Sequence, residues 1–165
     1  MNVLYIGRFQ PYHNGHHRVI IELSKGYDTI IVGIGSSQYG YTRDNPFSAD
    51  ERMEMIKGSL GSAGVSNYRI VLIPDIHDPP RWVDHVLGIV SDFDVVVSNN
   101  PLTRELFSVK GYRVENTPFY DRHVLSGKGI RERIRSGKHW EDLVPDPVVD
   151  VIKRVKGEER IRSLY

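Results

Sequence analysis

Two histidines, His13 and His16, lie on either side of Gly15 in the run Gly7-Arg8-Phe9-Gln10-Pro11-Tyr12-His13-Asn14-Gly15-His16. An apolar run, Val3 to Ile6, precedes it, and a helical pattern, Val19-Ile20-Leu23, follows. That order predicts strand, tight loop, helix. A glycine there lets backbone approach a ligand with no Cβ in the way. Amides at a helix start favour negative charge. Two imidazoles and Arg8 add donors. The chemistry this suits is the binding and polarising of a polyphosphate.

A second run, Ser126-Gly127-Lys128-Gly129-Ile130-Arg131, has a related composition. Ser126 can cap a helix, and two glycines free the backbone at its start. Lys128 and Arg131 then complete an anion cradle. Arg131 lies about one turn inside the helix, where a phosphate would sit. Arg133 and Arg135 read as the wet side of the same helix.

Between these runs lie residues with a different character. Gly33-Ile34-Gly35-Ser36-Ser37-Gln38 places small residues at a strand's carboxyl end, leaving room for a ligand. Trp82 follows a rigid Pro79-Pro80 step, and an indole face is the best partner for a flat cation. It could equally be a core or surface aromatic. Asp75 and His77 could contact a ligand or cap their loop. Asn99 and Asn100 could reach ribose or base edges, though Asn-Pro is itself a turn signal.

Parallel strands must position these groups. Apolar runs rich in Val and Ile occur at Val3–Ile6, Thr29–Ile34, Arg69–Ile73 and Asp94–Ser98, with a weaker one at Tyr112–Asn116. Helical patterns separate them, which predicts an α/β fold: a Rossmann-like, doubly wound parallel sheet. Ser48 to Glu51 reads as a capping box, with Met53, Ile56 and Leu60 as the buried stripe behind it. Arg52 reads as an exposed cation or the salt-bridge partner of a loop acid. The helix from Pro101 should stop near Lys110, at Gly111. The segment from about 139 to 165 should be helical, broken at Gly157. Its apolar stripe predicts packing on the domain or on a neighbouring copy, so a homo-oligomer is expected.

With 165 residues the chain is expected to form one domain, residues 1–165. Net charge is +1, so no strong field draws nucleic acid or a membrane. There are no cysteines, which removes disulfides, thiolate chemistry and Cys-ligated zinc. No signal peptide or membrane span is legible, and a cytoplasmic enzyme or binding protein is expected.

Gly7 to His16, read as G-R-F-Q-P-x-H-x-G-H, resembles the adenylyltransferases and cytidylyltransferases that share the H-x-G-H signature. The runs Gly35–Gln38, Asn45–Arg52, Asp75–Val83 and Ser98–Leu102 resemble the archaeal nicotinamide-nucleotide adenylyltransferases more specifically. Three positions depart from that pattern: Asp50 stands where Gly is usual, Pro79 where Asn is usual, and Lys128 where Thr is usual. The resemblance implies transfer of the adenylyl group of ATP to nicotinamide mononucleotide, giving NAD and pyrophosphate by direct in-line attack. Mg²⁺ would be carried by the ATP phosphates and water, with no metal site in the protein. It implies catalytic roles for His13, His16 and Arg131. Gly7, Arg8, Phe9, Gln10, Gly15, Ser126, Gly127, Lys128, Gly129 and Ile130 would bind ATP. Ser37, Gln38, Phe47, Asp75, Trp82 and Asn99 would bind the acceptor nucleotide, with Trp82 stacked on nicotinamide. The rivals are a sister enzyme with another acceptor, such as flavin mononucleotide or phosphopantetheine, and a sensing module that binds nucleotide without turnover.

Overall fold

The computed structural model describes residues 1–98, 100–117 and 125–165. Five strands, β1 (Asn2–Gly7), β2 (Thr29–Gly35), β3 (Tyr68–Ile73), β4 (Val95–Val97) and β5 (Arg113–Glu115), form one parallel sheet in the order β3-β2-β1-β4-β5. The chain builds outward from β1 on one side, then crosses back and builds outward on the other. The doubly wound expectation therefore holds, and the order reverses between β1 and β4.

Side chains alternate across the sheet even though both faces are covered. Val3 and Tyr5 of β1, Ile30 and Val32 of β2, and Val95 and Val97 of β4 enter one core. That core also takes Val19 and Ile20 of α1 (Asn14–Gly26) and Met55, Ile56 and Leu60 of α2 (Ala49–Ser62). Leu4, Ile31 and Val96 enter the opposite core with Val83 and Val86 of α3 (Pro79–Ile89) and Phe107 of α4 (Pro101–Val109).

Sequence capping rules set the helix ends. Ser48 accepts from the Glu51 amide while Glu51 bonds back to the Ser48 amide, as the capping box requires. Pro79 and Pro80 open α3, where a missing amide proton costs nothing. Gly111, at φ +88°, follows the last turn of α4.

The tail contributes α5 (Gly127–Arg135), a short 3₁₀ turn at Glu141–Leu143, α6 (Asp146–Arg154) and α7 (Gly157–Ser163). Val148, Val151, Ile152 and Ile161 seal the first core, so the stripe packs on its own chain. The break falls one residue before the expected one. Lys156 adopts the left-handed conformation, φ +56°, and Gly157 begins α7. A Cβ on Gly157 would lie 2.9 Å from Phe47 Cε1 and 3.0 Å from Ile152 Cγ2, so close packing is what the glycine permits. Among the described residues, no helix is long and apolar enough to cross a membrane.

Candidate active site

A cleft of about 1010 Å³ opens over the carboxyl ends of β1 and β4. This is where an open α/β sheet leaves a crevice, because the connections on either side depart in opposite directions. Gly7, Arg8, His13, His16, Ser126 and Gly127 line one end, and Asp75, His77, Pro79 and Trp82 line the other.

At the first end the two histidines cap α1 for each other. His13 Nδ1 accepts from the amides of Gly15 (3.0 Å) and His16 (3.3 Å), and His16 Nδ1 accepts from the His13 amide at 3.2 Å. It is a capping box built from imidazoles. An accepting Nδ1 carries no proton, so each neutral ring carries its proton on Nε2. The rings stack, centroids 3.6 Å apart, and Phe9 meets His16 edge-on at 4.7 Å. Burial lowers the His13 pKa to about 4. Burial, then the neighbouring His13, pushes His16 well below the ordinary range. At neutral pH the pair is two uncharged N–H donors whose orientation is set by backbone.

Positive charge comes from three arginines. Arg8 is exposed on the cleft wall. Arg131 is buried and donates from Nη1 to the Gln10 carbonyl at 2.7 Å, while its buried Nε has no hydrogen-bond partner among the described residues. Gly127 permits that reach. A Cβ there would lie 2.9 Å from Arg131 Nη1 and 3.1 Å from the Gln10 oxygen. Arg52, fully buried under the loops, is the third. It donates to the carbonyls of Ser48, Arg8, Gly35, Ser36 and Tyr39, at 2.9–3.3 Å. Burial, with Arg8 adding repulsion, lowers its pKa to about 10, so it stays charged.

At the second end the half-buried Trp82 stands on the cleft wall with Phe107 edge-on behind it, 5.6 Å between centroids. Asp75 Oδ1 accepts from the His77 amide at 2.8 Å, so Asp75 caps its loop and faces the cleft as well. Tyr39 OH pairs with His77 Nε2 at 2.6 Å across the mouth.

Comparison with known proteins agrees with this geometry. The cytidylyltransferase-like family model matches residues 4–133. A protein of Methanothrix thermoacetophila named nicotinamide-nucleotide adenylyltransferase is 48% identical over 97% of this chain and 94% of its own. One of the same name from Thermoplasma volcanium is 46% identical over 96% of this chain and 89% of its own. The chain belongs to the nicotinamide-nucleotide adenylyltransferases of the cytidylyltransferase-like family. A bifunctional NMN adenylyltransferase/ADP ribose pyrophosphatase of Francisella tularensis, solved with AMP and a manganese ion, shares the fold at TM-score 0.80 and 20% identity. This chain is covered to 98%, but it spans about half, 52%, of that longer chain.

Several residues read from sequence as ligand contacts have structural partners as well. Phe9 and Phe47 are core side chains, 1% and 0% exposed. Phe9 takes φ +55° to turn inward. The Gln10 amide spends both ends on Phe47, donating to its carbonyl at 2.8 Å and accepting from its amide at 2.9 Å. Gln38 does the same to the Asp75 backbone, at 2.8 and 3.0 Å, and Ser36 takes the cleft position expected of Ser37 and Gln38. The Gly15 amide is bound to His13, the Gly129 amide to Ser126 Oγ and the Ile130 amide to the Ser126 carbonyl. Those helix-start donors are not free for phosphate, and Ile130 is a core residue. Lys128 is exposed and off the cleft lining. Arg52 is neither exposed nor paired with a loop acid. Asn99 lies outside the described residues. Asn100, which from sequence could reach ribose or base edges, lines the cleft, and so do Ser98, Thr103 and Asp78, which the sequence did not mark as ligand contacts. The Asn100 side chain caps α4 from Thr103, at 3.1 Å.

Proposed function

We infer that the protein joins nicotinamide mononucleotide to the adenylyl group of ATP, yielding NAD and pyrophosphate. The observation that carries this is the polarity of one cleft: fixed N–H donors with buried cations at one end, an indole wall at the other. A phosphate oxygen of the mononucleotide attacks the α-phosphorus of ATP in line. The bond to the β-phosphate bridging oxygen breaks, and that electron pair leaves with pyrophosphate. No side-chain nucleophile takes part. Catalysis is positioning together with stabilisation of charge that builds on the leaving group. His13 and His16 donate from Nε2 without releasing a proton, and Arg8 and Arg131 supply charge. Magnesium enters as part of the substrate, MgATP. The nicotinamide cation lies against Trp82.

One sheet carrying both half-sites supports a single catalytic domain, and we assign it to the cytoplasm. The sensing alternative gains nothing from this cleft, whose phosphate donors are intact. The test is incubation of purified protein with ATP, Mg²⁺ and nicotinamide, nicotinate, flavin and phosphopantetheine acceptors, with products identified by mass. NAD formation is expected. Nucleotide binding with no product would favour a sensor.

A further inference from the structure

The segment between β2 and α2 folds back on itself. Tyr41 and Pro46 are joined by a backbone bond of 3.2 Å, and Thr42 and Asn45 by another of 3.2 Å. This leaves Arg43 and Asp44 at the tip. The tip reaches α5, the helix that carries Arg131, through Tyr165. Arg43 lies over the Tyr165 ring at 4.4 Å, and Arg135 of α5 lies over the same ring at 5.1 Å.

What clips the base of this turn comes from the far end of the chain. Arg160 of α7 donates from Nη1 to the Pro46 carbonyl at 3.0 Å and lies 4.0 Å over the Tyr41 ring. It therefore touches both arms. The same guanidinium grips Glu51 in a fork, at 2.6 and 2.9 Å. Both side chains are nearly dry, 13% and 11% exposed, so water screens the pair little. Burial pushes the Glu51 carboxyl up, but its bonds from Arg160 and Ser48 outweigh this and hold it below the ordinary range. Glu51 begins α2, next to Arg52, whose guanidinium holds the carbonyls of Arg8, Gly35 and Tyr39. Arg160 thus ties the turn to the element that also grips the β1 and β2 loops.

We propose that Arg160 is a positioning residue for adenylyl transfer, holding the Tyr41–Pro46 turn so that its tip stays joined through Tyr165 to α5, whose first residue lines the cleft and which carries Arg131. It touches neither reactant. The proposal rests on the adenylyltransferase reading, and two measurements separate the two. The first needs no turnover: amide hydrogen exchange of Tyr41 to Asn45 in wild type and Arg160→Ala. Exchange in the variant should be at least about tenfold faster while the amides of β1 and β2 keep their protection. The second is steady-state kinetics below the melting temperature of each protein. Arg160→Ala should raise KM for ATP by about tenfold, with kcat and KM for nicotinamide mononucleotide within about threefold of wild type. Arg160→Lys, which keeps charge but loses the fork, should fall between. If Arg160→Ala does not fold, Tyr41→Ala removes an exposed contact of the clip and should show the same split at roughly threefold. Unchanged exchange in the turn, or a lower melting temperature with unaltered KM for ATP, would overturn the proposal. Failure of wild type to make a dinucleotide would sink the functional reading, while the exchange result would still report on the clip.

Discussion

The two ends of the cleft are built by different rules. At the phosphate end nearly every polar group is committed before a ligand arrives. The histidines spend Nδ1 on backbone, Arg52 spends its guanidinium on five carbonyls, and Arg131 reaches the Gln10 oxygen. At the acceptor end Trp82 stands half-buried on α3, and the loop groups beside it have fewer ties: Gln38 holds the Asp75 backbone and Tyr39 pairs with His77. A transferred phosphoryl group develops charge at fixed points, so donors that need no reorganisation lower the barrier. A flat ring needs only a face and a boundary. The comparison predicts that damage at the phosphate end shows in kcat and stability, and damage at the acceptor end in KM.

The largest effect should come from His16. Its Nε2–H is fixed by the reciprocal cap, so His16→Ala removes an oriented donor. kcat should fall by about 10²–10³ with a modest loss of ATP binding. A kcat within about threefold of wild type would reduce His16 to a cap. Arg131→Ala should impair ATP affinity and turnover together. Arg131→Lys should recover only part, because lysine lacks the planar fork that reaches the Gln10 oxygen. Full recovery by lysine would mean a point charge is enough, and the contrast between the two ends would weaken.

Arg52 tests the same idea through stability. Arg52→Ala takes the guanidinium from five carbonyls; Ser36 and Ser48 keep a backbone amide donor, while those of Arg8, Gly35 and Tyr39 lose theirs in a buried site, at a cost of at least about 3 kcal/mol. For a chain this size that lowers Tm by roughly 6–12 °C. A shift under about 2 °C would show that water replaces the guanidinium freely.

Arg52 also marks the limit of what was legible. The strands were readable because Val and Ile runs have few alternatives, and the Ser48–Glu51 capping box because its partners are local. Arg52 sits in a helical pattern where a cation reads as solvated. Its partners are backbone carbonyls of the two connections that follow β1 and β2, and carbonyls leave no trace in residue type. The bonds between Gln10 and the Phe47 backbone were out of reach for the same reason. A motif marks which residues sit near the ligand without saying which of them face it. His13, His16 and Trp82 face the cleft as their spacing suggested, but the caps that orient the imidazoles could not be foreseen.

The imidazole pair also predicts a pH response. Both histidines titrate below the ordinary value of about 6.5, His13 near 4. In the unfolded chain they take up protons below about 6.5, and in the folded one they resist. Stability from this source is therefore full above about 6.5 and is lost progressively as pH falls toward 4. Protonation of Nδ1 would also abolish the acceptor that caps α1. Tm should decline across this window, and His16→Asn should flatten the decline. An equal slope in the variant would assign the acid sensitivity to other groups.

The smallest effect, and the one that decides the acceptor, belongs to Trp82. It stands at the start of α3 after two prolines, lines the cleft and packs T-shaped on Phe107, so it has little freedom to lose. A nicotinamide cation against that face gains about 0.5–2 kcal/mol. At about 1.4 kcal/mol per factor of ten, Trp82→Ala should raise KM for nicotinamide mononucleotide by roughly threefold to thirtyfold. KM for ATP should hardly move, because adenosine lies beyond the transferred phosphate. Trp82→Phe should fall between. The reduced nucleotide, whose ring is uncharged, should lose less than the oxidised one. If ATP affinity fell instead, the indole would belong to the adenine side and the two ends of the cleft would exchange roles. If neither substrate responded, Trp82 would be packing for Phe107, and acceptor recognition would have to be sought at Asp75 and His77.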